Sequence, residues 1–276
     1  LSGGIGDDYV IVTAGSDTMV GGEEEVGGSD TDADTLDFSL ATGSINVDLA
    51  AEIAVAAGLG TDVVRQFEDI VATASDDTLF GSAEANTFIA GDGADSLDGR
   101  GGDDSLVGGD GNDVFDGGAD NDTLVGGSGN DTFTGGQGSD RMEGDSGFDL
   151  SDFSGSAAAV NGTLNFGSGT GSAGDAAGDN WTGIEAIYGS VGDDTMTGFN
   201  GSVQFFAGDG NDTLTGGADA NTQDRDTLHG EDGDDFITSG FTDTILTTSG
   251  DSLNGGEGND TLIGGGGRDT LVGEDG

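Results

Sequence analysis

The chain has 276 residues, among them 59 Gly, no Pro and no Cys. Its 55 acidic residues stand against five Arg, because Lys is absent, and the formal net charge is −50. This charge excludes nucleic acid and anionic membranes as partners, and the lack of Cys excludes disulfides and thiolate metal sites. No apolar run approaches the roughly 20 residues of a membrane-spanning helix, so membrane insertion is not expected.

A nine-residue period runs through much of the chain. From Gly108 the sequence reads GGDGNDVFD, GGADNDTLV, GGSGNDTFT and GGQGSDRME, each block beginning where the previous one ends. Counted from the first Gly, places one, two and four are mostly Gly, place six is Asp and place eight is a large apolar residue. A short fixed period of this kind predicts a solenoid rather than a globular core.

The repeats form three arrays that two spacers separate. In chain order we predict irregular repeats at 1–37, a spacer at 38–71, regular repeats at 72–149, a related spacer at 150–188 and repeats with insertions at 189–276. The segments TLDFS and FEDI of the first spacer are similar to LSDFS and IEAI of the second. Their offset of 115–117 residues predicts about two copies of one module. The chain begins and ends within a repeat, so we expect it to be part of a longer polypeptide.

The spacers have a weaker secondary-structure pattern than the arrays. Alternating apolar residues over 45–49 predict a strand, as does the segment 164–166. Residues 50–57 predict a short helix, which Gly58 ends. Trp181 is predicted to be a core residue of the second spacer.

Within each repeat, the first six places predict a turn and the last three a short strand. Three Gly in six residues cannot propagate a helix, and they supply the left-handed backbone angles of a tight turn. The final triplet suits a strand whose middle side chain points inward. Two repeats then make one coil of about 18 residues, with turns at both edges and two thin parallel sheets between them.

Each edge of such a roll presents a ladder of Asp carboxylates and turn carbonyls. Carboxylates repel one another at a strand spacing of about 4.8 Å, and unpaired carbonyls are costly. A hard divalent cation between successive turns removes both problems. Ca²⁺ accepts about six to eight oxygen ligands in flexible geometry, whereas Mg²⁺ requires a strict octahedron. Zn²⁺ is disfavoured because His229 is the only His and Cys is absent.

The repeats resemble the RTX (repeats-in-toxin) family of calcium-binding nonapeptide repeats, whose pattern is GGxGxDxUx. The resemblance covers both main arrays and, through FEDI and IEAI, the flanks of the spacers. It implies an all-β fold, a parallel β-roll or β-solenoid of calcium-binding nonapeptide repeats interrupted by two related β-rich spacers. It also implies multiple Ca²⁺ ions, bound between turns i and i+2 by place-six carboxylates and turn carbonyls.

The resemblance carries calcium binding over to the Asp at place six of each repeat. These residues are Asp8, Asp17, Asp77, Asp95, Asp104, Asp113, Asp122, Asp131, Asp140, Asp149, Asp194, Asp212, Asp226, Asp235, Asp251, Asp260 and Asp269. Asn86 and Val203 stand at place six of two repeats, where we expect weak sites or none. Arg100 replaces Gly at place two, which keeps the carbonyl and is expected to alter the turn.

No nucleophile–base pair or catalytic metal cluster stands out, and we predict that the chain is not an enzyme. The leading hypothesis is a calcium-dependent structural module of a large secreted bacterial protein, such as an adhesin stalk, a surface layer or an extracellular filament. Open solenoid ends favour self-association end to end. The alternative is a C-terminal folding module of an exported protease, lipase or epimerase. The resemblance implies export by a type I secretion apparatus and an extracellular or cell-surface location.

Folding of this chain should require the cation. One buried side chain per repeat contributes about 1.5–3 kcal/mol, which cannot offset the ordering of nine residues at about 1–2 kcal/mol each. Metal binding and folding are then one event. We expect far-UV circular dichroism to lose its strand signal in EGTA and to regain it in millimolar Ca²⁺. A spectrum that EGTA leaves unchanged would contradict this.

Overall fold

The computed structural model describes residues 2–4, 6–12, 16–22, 33–56, 60–165, 167–217, 225–240 and 250–276. These residues form β-strands and turns, with one 3-10 turn at Gly174–Ala176 and no α-helix among them. The all-β prediction is confirmed. No helix in these ranges is long and apolar enough to cross a membrane. The chain divides into two compact units, Leu1–Thr132 and Phe133–Gly276.

The first unit contains two sheets. Their strands are β1 (Ser2–Gly4), β2 (Tyr9–Ile11), β3 (Thr18–Gly22), β4 (Thr35–Asp37), β5 (Ile45–Asp48), β6 (Ile53–Ala56), β7 (Gly60–Arg65), β8 (Asp69–Val71), β9 (Thr78–Phe80), β10 (Thr87–Asp92), β11 (Ser96–Asp98), β12 (Ser105–Asp110), β13 (Val114–Ala119) and β14 (Thr123–Ser128). One sheet has the order β1-β3-β7-β6-β5-β9-β11-β13, and the other has the order β2-β4-β8-β10-β12-β14. Successive repeats therefore alternate between the sheets, as a two-repeat coil requires.

The second unit has the same construction. Its strands are β15 (Thr132–Gln137), β16 (Arg141–Ser146), β17 (Leu150–Asp152), β18 (Asn161–Asn165), β19 (Ser168–Gly171), β20 (Asn180–Thr182), β21 (Ala186–Tyr188), β22 (Thr195–Gly198), β23 (Gln204–Asp209), β24 (Thr213–Thr215), β25 (Thr227–Asp232), β26 (Phe236–Thr238), β27 (Ser252–Glu257), β28 (Thr261–Ile263) and β29 (Thr270–Val272). The two orders are β15-β17-β21-β23-β25-β27-β29 and β16-β20-β19-β18-β22-β24-β26-β28.

The pairing register confirms that two repeats make one coil. Thr87 on β10 lies opposite Ser105 on β12, which lies opposite Thr123 on β14, and all three strands are parallel. Each step along the sheet is therefore 18 residues along the sequence. A parallel β-roll of nonapeptide repeats is the resulting fold.

The second unit keeps this pairing while its coils become longer. Thr227 on β25 pairs with Gln204 on β23 and with Ser252 on β27, so these coils contain 23 and 25 residues. The extra residues fall in the insertions expected between Gly217 and Asp226 and between Ser239 and Asp251. Residues 218–224 and 241–249 of these insertions lie outside the described residues.

The apolar side chains at place eight form the core. Fourteen of the sixteen are at most 1% exposed, namely Leu79, Phe88, Leu97, Leu106, Phe115, Leu124, Phe133, Met142, Met196, Phe205, Leu214, Leu228, Ile237 and Leu253. The exceptions are Leu262, which is half-buried, and Leu271 on β29, which is exposed. Each coil thus contributes two inward side chains, one to each sheet.

Each unit inserts antiparallel strands into one sheet at an equivalent place. In the first unit β6 pairs antiparallel with β5 and β7, and β5 continues the sheet in parallel with β9. In the second unit β19 pairs antiparallel with β18 and β20, and β18 runs parallel with β22. Trp181 on β20 is buried and donates its indole N–H to the carbonyl oxygen of Thr163 at 3.1 Å, which confirms its predicted core position.

The predicted helix over residues 50–57 is wrong, and its described part is a turn followed by β6. Glu52 has φ 59, a left-handed conformation that a helix does not contain. Ile53 and Val55 are exposed and Ala54 is buried, the two-residue alternation of a strand. Hydrogen bonding to strands on both sides outweighs the helix propensity of the Ala residues. The predicted strands at 45–49 and 164–166 are found as β5 and the end of β18, although Phe166 lies outside the described residues.

Places two and four of the turns have positive φ, which explains the Gly pattern. Gly109 at place two has φ 118 and Gly111 at place four has φ 145. A Cβ built on Gly111 would lie 1.4 Å from the carbonyl oxygen of Gly93 in the previous coil. Conformation and close stacking of the turns therefore both require Gly at this position.

We expect Gly111→Ala to unfold the coil around it, because the left-handed angle costs about 1–3 kcal/mol before any clash is counted. Gly101→Ala is the matched control, since Gly101 has no positive φ and nothing within 4 Å of its built Cβ. Thermal denaturation in saturating Ca²⁺ measures both variants. Equal melting temperatures for the two would contradict the stacking described here.

Candidate calcium-binding turns

The place-six carboxylates line both edges of the roll in buried positions. Thirteen of the seventeen candidate Asp residues are at most 3% exposed; they are Asp77, Asp95, Asp104, Asp113, Asp122, Asp131, Asp140, Asp149, Asp194, Asp212, Asp226, Asp235 and Asp251. Asp8, Asp260 and Asp269 are half-buried, and Asp17 is exposed. A buried carboxylate is costly unless a charge or hydrogen bonds compensate it.

In many of these Asp residues, one carboxylate oxygen caps the previous coil on the same edge. The backbone N–H of Asp77 donates to Asp95 Oδ1 at 2.7 Å, and that of Asp95 donates to Asp113 Oδ1 at 2.8 Å. The same bond joins Asp104 to Asp122, Asp113 to Asp131, Asp194 to Asp212, Asp212 to Asp235, Asp226 to Asp251, Asp235 to Asp260 and Asp251 to Asp269. The carboxylates thus form continuous ladders, with turn i against turn i+2 as the sequence predicts.

The second carboxylate oxygen is the unsatisfied group of the turn. Within the described part of the chain, a buried Oδ2 has no hydrogen-bond partner in Asp8, Asp95, Asp104, Asp113, Asp212, Asp235 and Asp260. Buried polar atoms without a partner are rare in proteins and indicate a missing ligand. These oxygens carry negative charge, so the ligand that they require is a cation.

The space around these oxygens fits a small, hard cation. A Cβ built on Gly108 at place one would lie 2.1 Å from Asp113 Oδ2 of the same repeat. A Cβ on Gly109 would lie 2.0 Å from the carbonyl oxygen of Gly91 in the previous coil. A carboxylate oxygen and a carbonyl oxygen thus lie against two consecutive glycines of the turn, in positions that only the absence of a Cβ leaves open. No three Asp, Glu or His side chains cluster among the described residues, so a site here needs the carbonyls as well.

Burial perturbs the ionisation of these carboxyls. Burial raises the pKa of Asp95, Asp104 and Asp212 to about 7. Neighbouring carboxylates add to the increase, while the backbone N–H that each group accepts opposes it. For Asp113 the same causes raise the pKa to about 6. Without a counter-ion the ladder therefore resists carrying its full negative charge.

Asp77, Asp194 and Asp226 differ from the candidates with an unpaired Oδ2, because place two of their own turn donates to that oxygen. In Asp226 the donor is the backbone N–H of Gly217, at 2.8 Å. Asp77 Oδ2 accepts the backbone N–H of Thr73 at 2.8 Å and its hydroxyl at 2.9 Å. Ser190 binds Asp194 in the same way, with its backbone N–H 2.6 Å from Oδ2 and its hydroxyl 2.7 Å from Oδ1. A hydroxyl-bearing residue at place two thus supplies donors to the carboxylate.

Asn86 stands at place six, where most repeats have a charged Asp, and its side chain is neutral. Its Oδ1 accepts the backbone N–H of Ser82 at 2.8 Å, and its Nδ2 donates to the carbonyl oxygen of Glu68 in the previous coil at 2.9 Å. The amide nitrogen thus satisfies a carbonyl on that edge. Val203, the other exception, is buried and offers no side-chain oxygen.

Arg100 keeps the left-handed backbone of place two, but its turn differs from its neighbours as the sequence predicts. β11 ends at Asp98, and the Gly101 N–H donates to the carbonyl oxygen of Gly99 at 3.1 Å. Arg100 has φ 71, the left-handed conformation that Gly has at place two elsewhere. Its guanidinium binds the Asp48 carboxylate through two nitrogens at 2.9 Å and donates to the carbonyl oxygen of Gly81 at 2.9 Å. The ion pair and hydrogen bond compensate the strain of a non-Gly residue in this conformation.

The sequence analysis missed three Asp residues that belong to the ladders. Asp34, Asp62 and Asp179 are at most 1% exposed. Their Oδ1 atoms accept the backbone N–H groups of Asp8, Asp17 and Asp140, respectively. Each lies two residues before a buried apolar side chain, namely Leu36, Val64 and Trp181. This two-residue spacing matches places six and eight of the repeat and could have identified the three Asp residues. The segments lack the Gly residues of the repeat, so they do not match its full pattern.

Two Glu residues continue the ladders through the spacers. Glu68 Oε2 accepts the backbone N–H of Asp34, and Glu185 Oε2 accepts that of Asp149, both at 2.9 Å. Both also lie two residues before a buried Ile, in the segments FEDI and IEAI. The similarity between the spacers therefore includes a place-six carboxylate with a longer side chain.

Stacked carboxylate turns on parallel strands define a calcium-binding β-roll. The family model of the RTX calcium-binding nonapeptide repeat (4 copies) matches residues 1–24, 71–150, 182–246 and 247–276 in overlapping segments. The chain belongs to this family, whose repeats bind multiple Ca²⁺ ions between turns. A comparison with curated proteins finds no match.

The raised pKa values predict opposite pH responses with and without calcium. Because the folded pKa of Asp95 or Asp104 is about 7 and the unfolded value is about 4, the folded state binds the proton more tightly. In chelator, stability should therefore be greatest below pH 4 and fall as the pH rises through 7. Calcium affinity should rise over the same range because protons leave the ligands.

Circular dichroism in chelator and calcium titrations, each between pH 5 and pH 8, measure these two responses. We expect more strand signal at pH 5 than at pH 8 in chelator. A pH-independent calcium affinity would contradict the assignment of the raised pKa values to the metal-binding carboxyls.

Proposed function

We propose that the chain is a calcium-dependent structural module of a large secreted protein. The observation that carries this proposal is the ladder of buried carboxylates whose second oxygens have no partner, of which Asp95, Asp104 and Asp113 are the regular examples. A protein that buries such a ladder is stable only where a divalent cation is abundant. Calcium is abundant outside cells and scarce in the cytosol, so the module would fold after export.

In this proposal the place-six Asp residues hold Ca²⁺ together with turn carbonyls of the adjacent coil. Oδ1 keeps its hydrogen bond to the neighbouring turn, and Oδ2 faces the ion. The bound ion supplies positive charge that neutralises the ladder and links successive turns. Asp77, Asp194 and Asp226, in which both carboxylate oxygens already accept hydrogen bonds, would bind calcium weakly.

The proposed setting is a non-enzymatic part of an adhesin stalk, a surface layer or an extracellular filament. The duplicated hairpin insertions support a repeated building unit, since β5–β7 and β18–β20 have the same pairings. Export through a type I secretion apparatus would require an unfolded chain. The low calcium concentration of the cytosol would keep the chain unfolded before export. A catalytic domain encoded in the same reading frame would favour instead the folding module of an exported enzyme.

We also propose that rolls associate end to end, because the open strand edges of a solenoid favour pairing with a further strand. Sedimentation velocity with and without Ca²⁺ would measure this association. If the protein is a monomer at all concentrations, self-association is contradicted, whereas the proposal of calcium-dependent folding is not affected.

The decisive test of the calcium sites is Asp104→Asn, which keeps the size of the side chain and removes its charge. We expect fewer Ca²⁺ ions per chain in native mass spectrometry, weaker calcium affinity, and a loss of about 1–3 kcal/mol in folding free energy. Asp110→Asn is the matched control, because it removes the same charge from an exposed side chain at place three. Equal calcium stoichiometry and affinity in the two variants would refute the ligand assignment.

A further inference from the structure

One sheet face of the second unit carries no charge, although the chain has a net charge of −50. The adjacent strands β20, β19, β18, β22 and β24 read NWT, SGTG, NGTLN, TMTG and TLT. None of these described residues is Asp, Glu, Arg or Lys. Their outward side chains are all Thr, Ser or Asn. On one side the face ends at β16, where Arg141 and Glu143 form an ion pair.

The repeat does not by itself impose this composition. The equivalent strands of the first unit, β7, β6, β5, β9 and β11, have the same pairings and read GTDVVR, IAVA, INVD, TLF and SLD. They include Arg65, Asp48 and Asp98, whose side chains are exposed or half-buried. The same fold therefore tolerates charged and apolar residues on this face. The uncharged face of the second unit is a property of its own sequence.

The uncharged face contains a groove of about 420 Å³ at the inserted hairpin. Hydroxyl and amide side chains line it, among them Thr163, Asn165 and Thr182, together with the 50% exposed ring of Phe199. Asn200 Nδ2 donates to Asn165 Oδ1 at 3.1 Å, which holds one of these amides in place. The groove thus combines an exposed apolar ring with groups that both donate and accept hydrogen bonds.

We propose that this face binds a neutral saccharide chain. Sugar hydroxyls donate and accept hydrogen bonds, as Thr, Ser and Asn side chains do, and the apolar face of a sugar ring can pack on Phe199. An anionic polymer would be repelled by the charge of the chain, and a cationic partner would prefer its acidic surfaces. A neutral, hydroxyl-rich ligand fits this face, whose described strands carry no charge.

A second copy of the chain fits this face less well. Ser is depleted at protein–protein interfaces, and Ser and Thr are under-represented among the residues that supply their binding energy. The chemistry of the face therefore favours the saccharide.

The buried Trp181, the only Trp of the chain, reports on binding. It lines the groove, and its indole N–H donates to the carbonyl oxygen of Thr163 beneath the face. The calcium-loaded protein is titrated with cellohexaose, maltohexaose and laminarin, and with polygalacturonate as an anionic polymer. We expect a saturable change in Trp fluorescence with at least one neutral glycan and none with polygalacturonate.

Two variants test the location of the site. Phe199→Ala should weaken binding roughly tenfold, a loss of about 1.4 kcal/mol, because the sugar ring loses its apolar contact. Thr195→Asp places a charge on the face and should weaken binding at least as much. Its control is Thr78→Asp, the same change at the equivalent position of β9 in the first unit, which should leave binding unchanged.

Three results would overturn the proposal. The first is no binding of any of the three neutral glycans by a folded, calcium-loaded chain. The second is equal loss of binding in Thr195→Asp and Thr78→Asp. The third is a concentration-dependent dimer that Thr195→Asp disrupts, which would make the face a contact between copies. None of these results bears on calcium binding, which the place-six ladder provides separately.

Discussion

The contact between a place-six carboxylate and the next coil is the constraint on which the rest of the molecule depends. Oδ1 of Asp113 caps the backbone N–H of Asp95, while its Oδ2 is buried without a hydrogen bond. The first interaction joins successive coils, and the second leaves a buried negative charge between them. Each coil buries only two core side chains at place eight, so the hydrophobic contribution to stability is small. The proposed dependence of folding on calcium follows from these two properties.

The same contact explains how the roll accommodates its inserted hairpins. Asp34, Asp62 and Asp179 and the longer Glu68 and Glu185 provide an oxygen to the neighbouring turn where the nonapeptide pattern is lost. The carboxylate contacts thus extend into segments that contain few turn glycines. Insertions are tolerated on condition that the carboxylate, and the apolar residue two positions later, return to register. The carboxylate and the apolar residue two positions after it are therefore kept in these segments, whereas the full nonapeptide pattern is not.

Much of the fold and of the candidate site could be predicted because the relevant interactions repeat every nine residues. The register of Thr87, Ser105 and Thr123 and the burial of Asp104 follow directly from that period. The errors fall where the period stops. Residues 50–57 suggested a helix by local composition, whereas pairing with β5 and β7 made the described part a turn and β6. Local propensity is too weak to decide the structure of a segment that has strands on both sides.

The sequence by itself determined the coil, its inward residues and the chemistry of its edges, because each depends on neighbours at a fixed separation along the chain. Only the tertiary structure decided which carboxylates are satisfied without a metal. Asp77 and Asp194 match the same pattern as Asp104, yet the hydroxyls of Thr73 and Ser190 bind the first two. It also decided that residues from five strands meet on one uncharged face. Both depend on groups brought together in space, and a linear pattern does not specify their orientation.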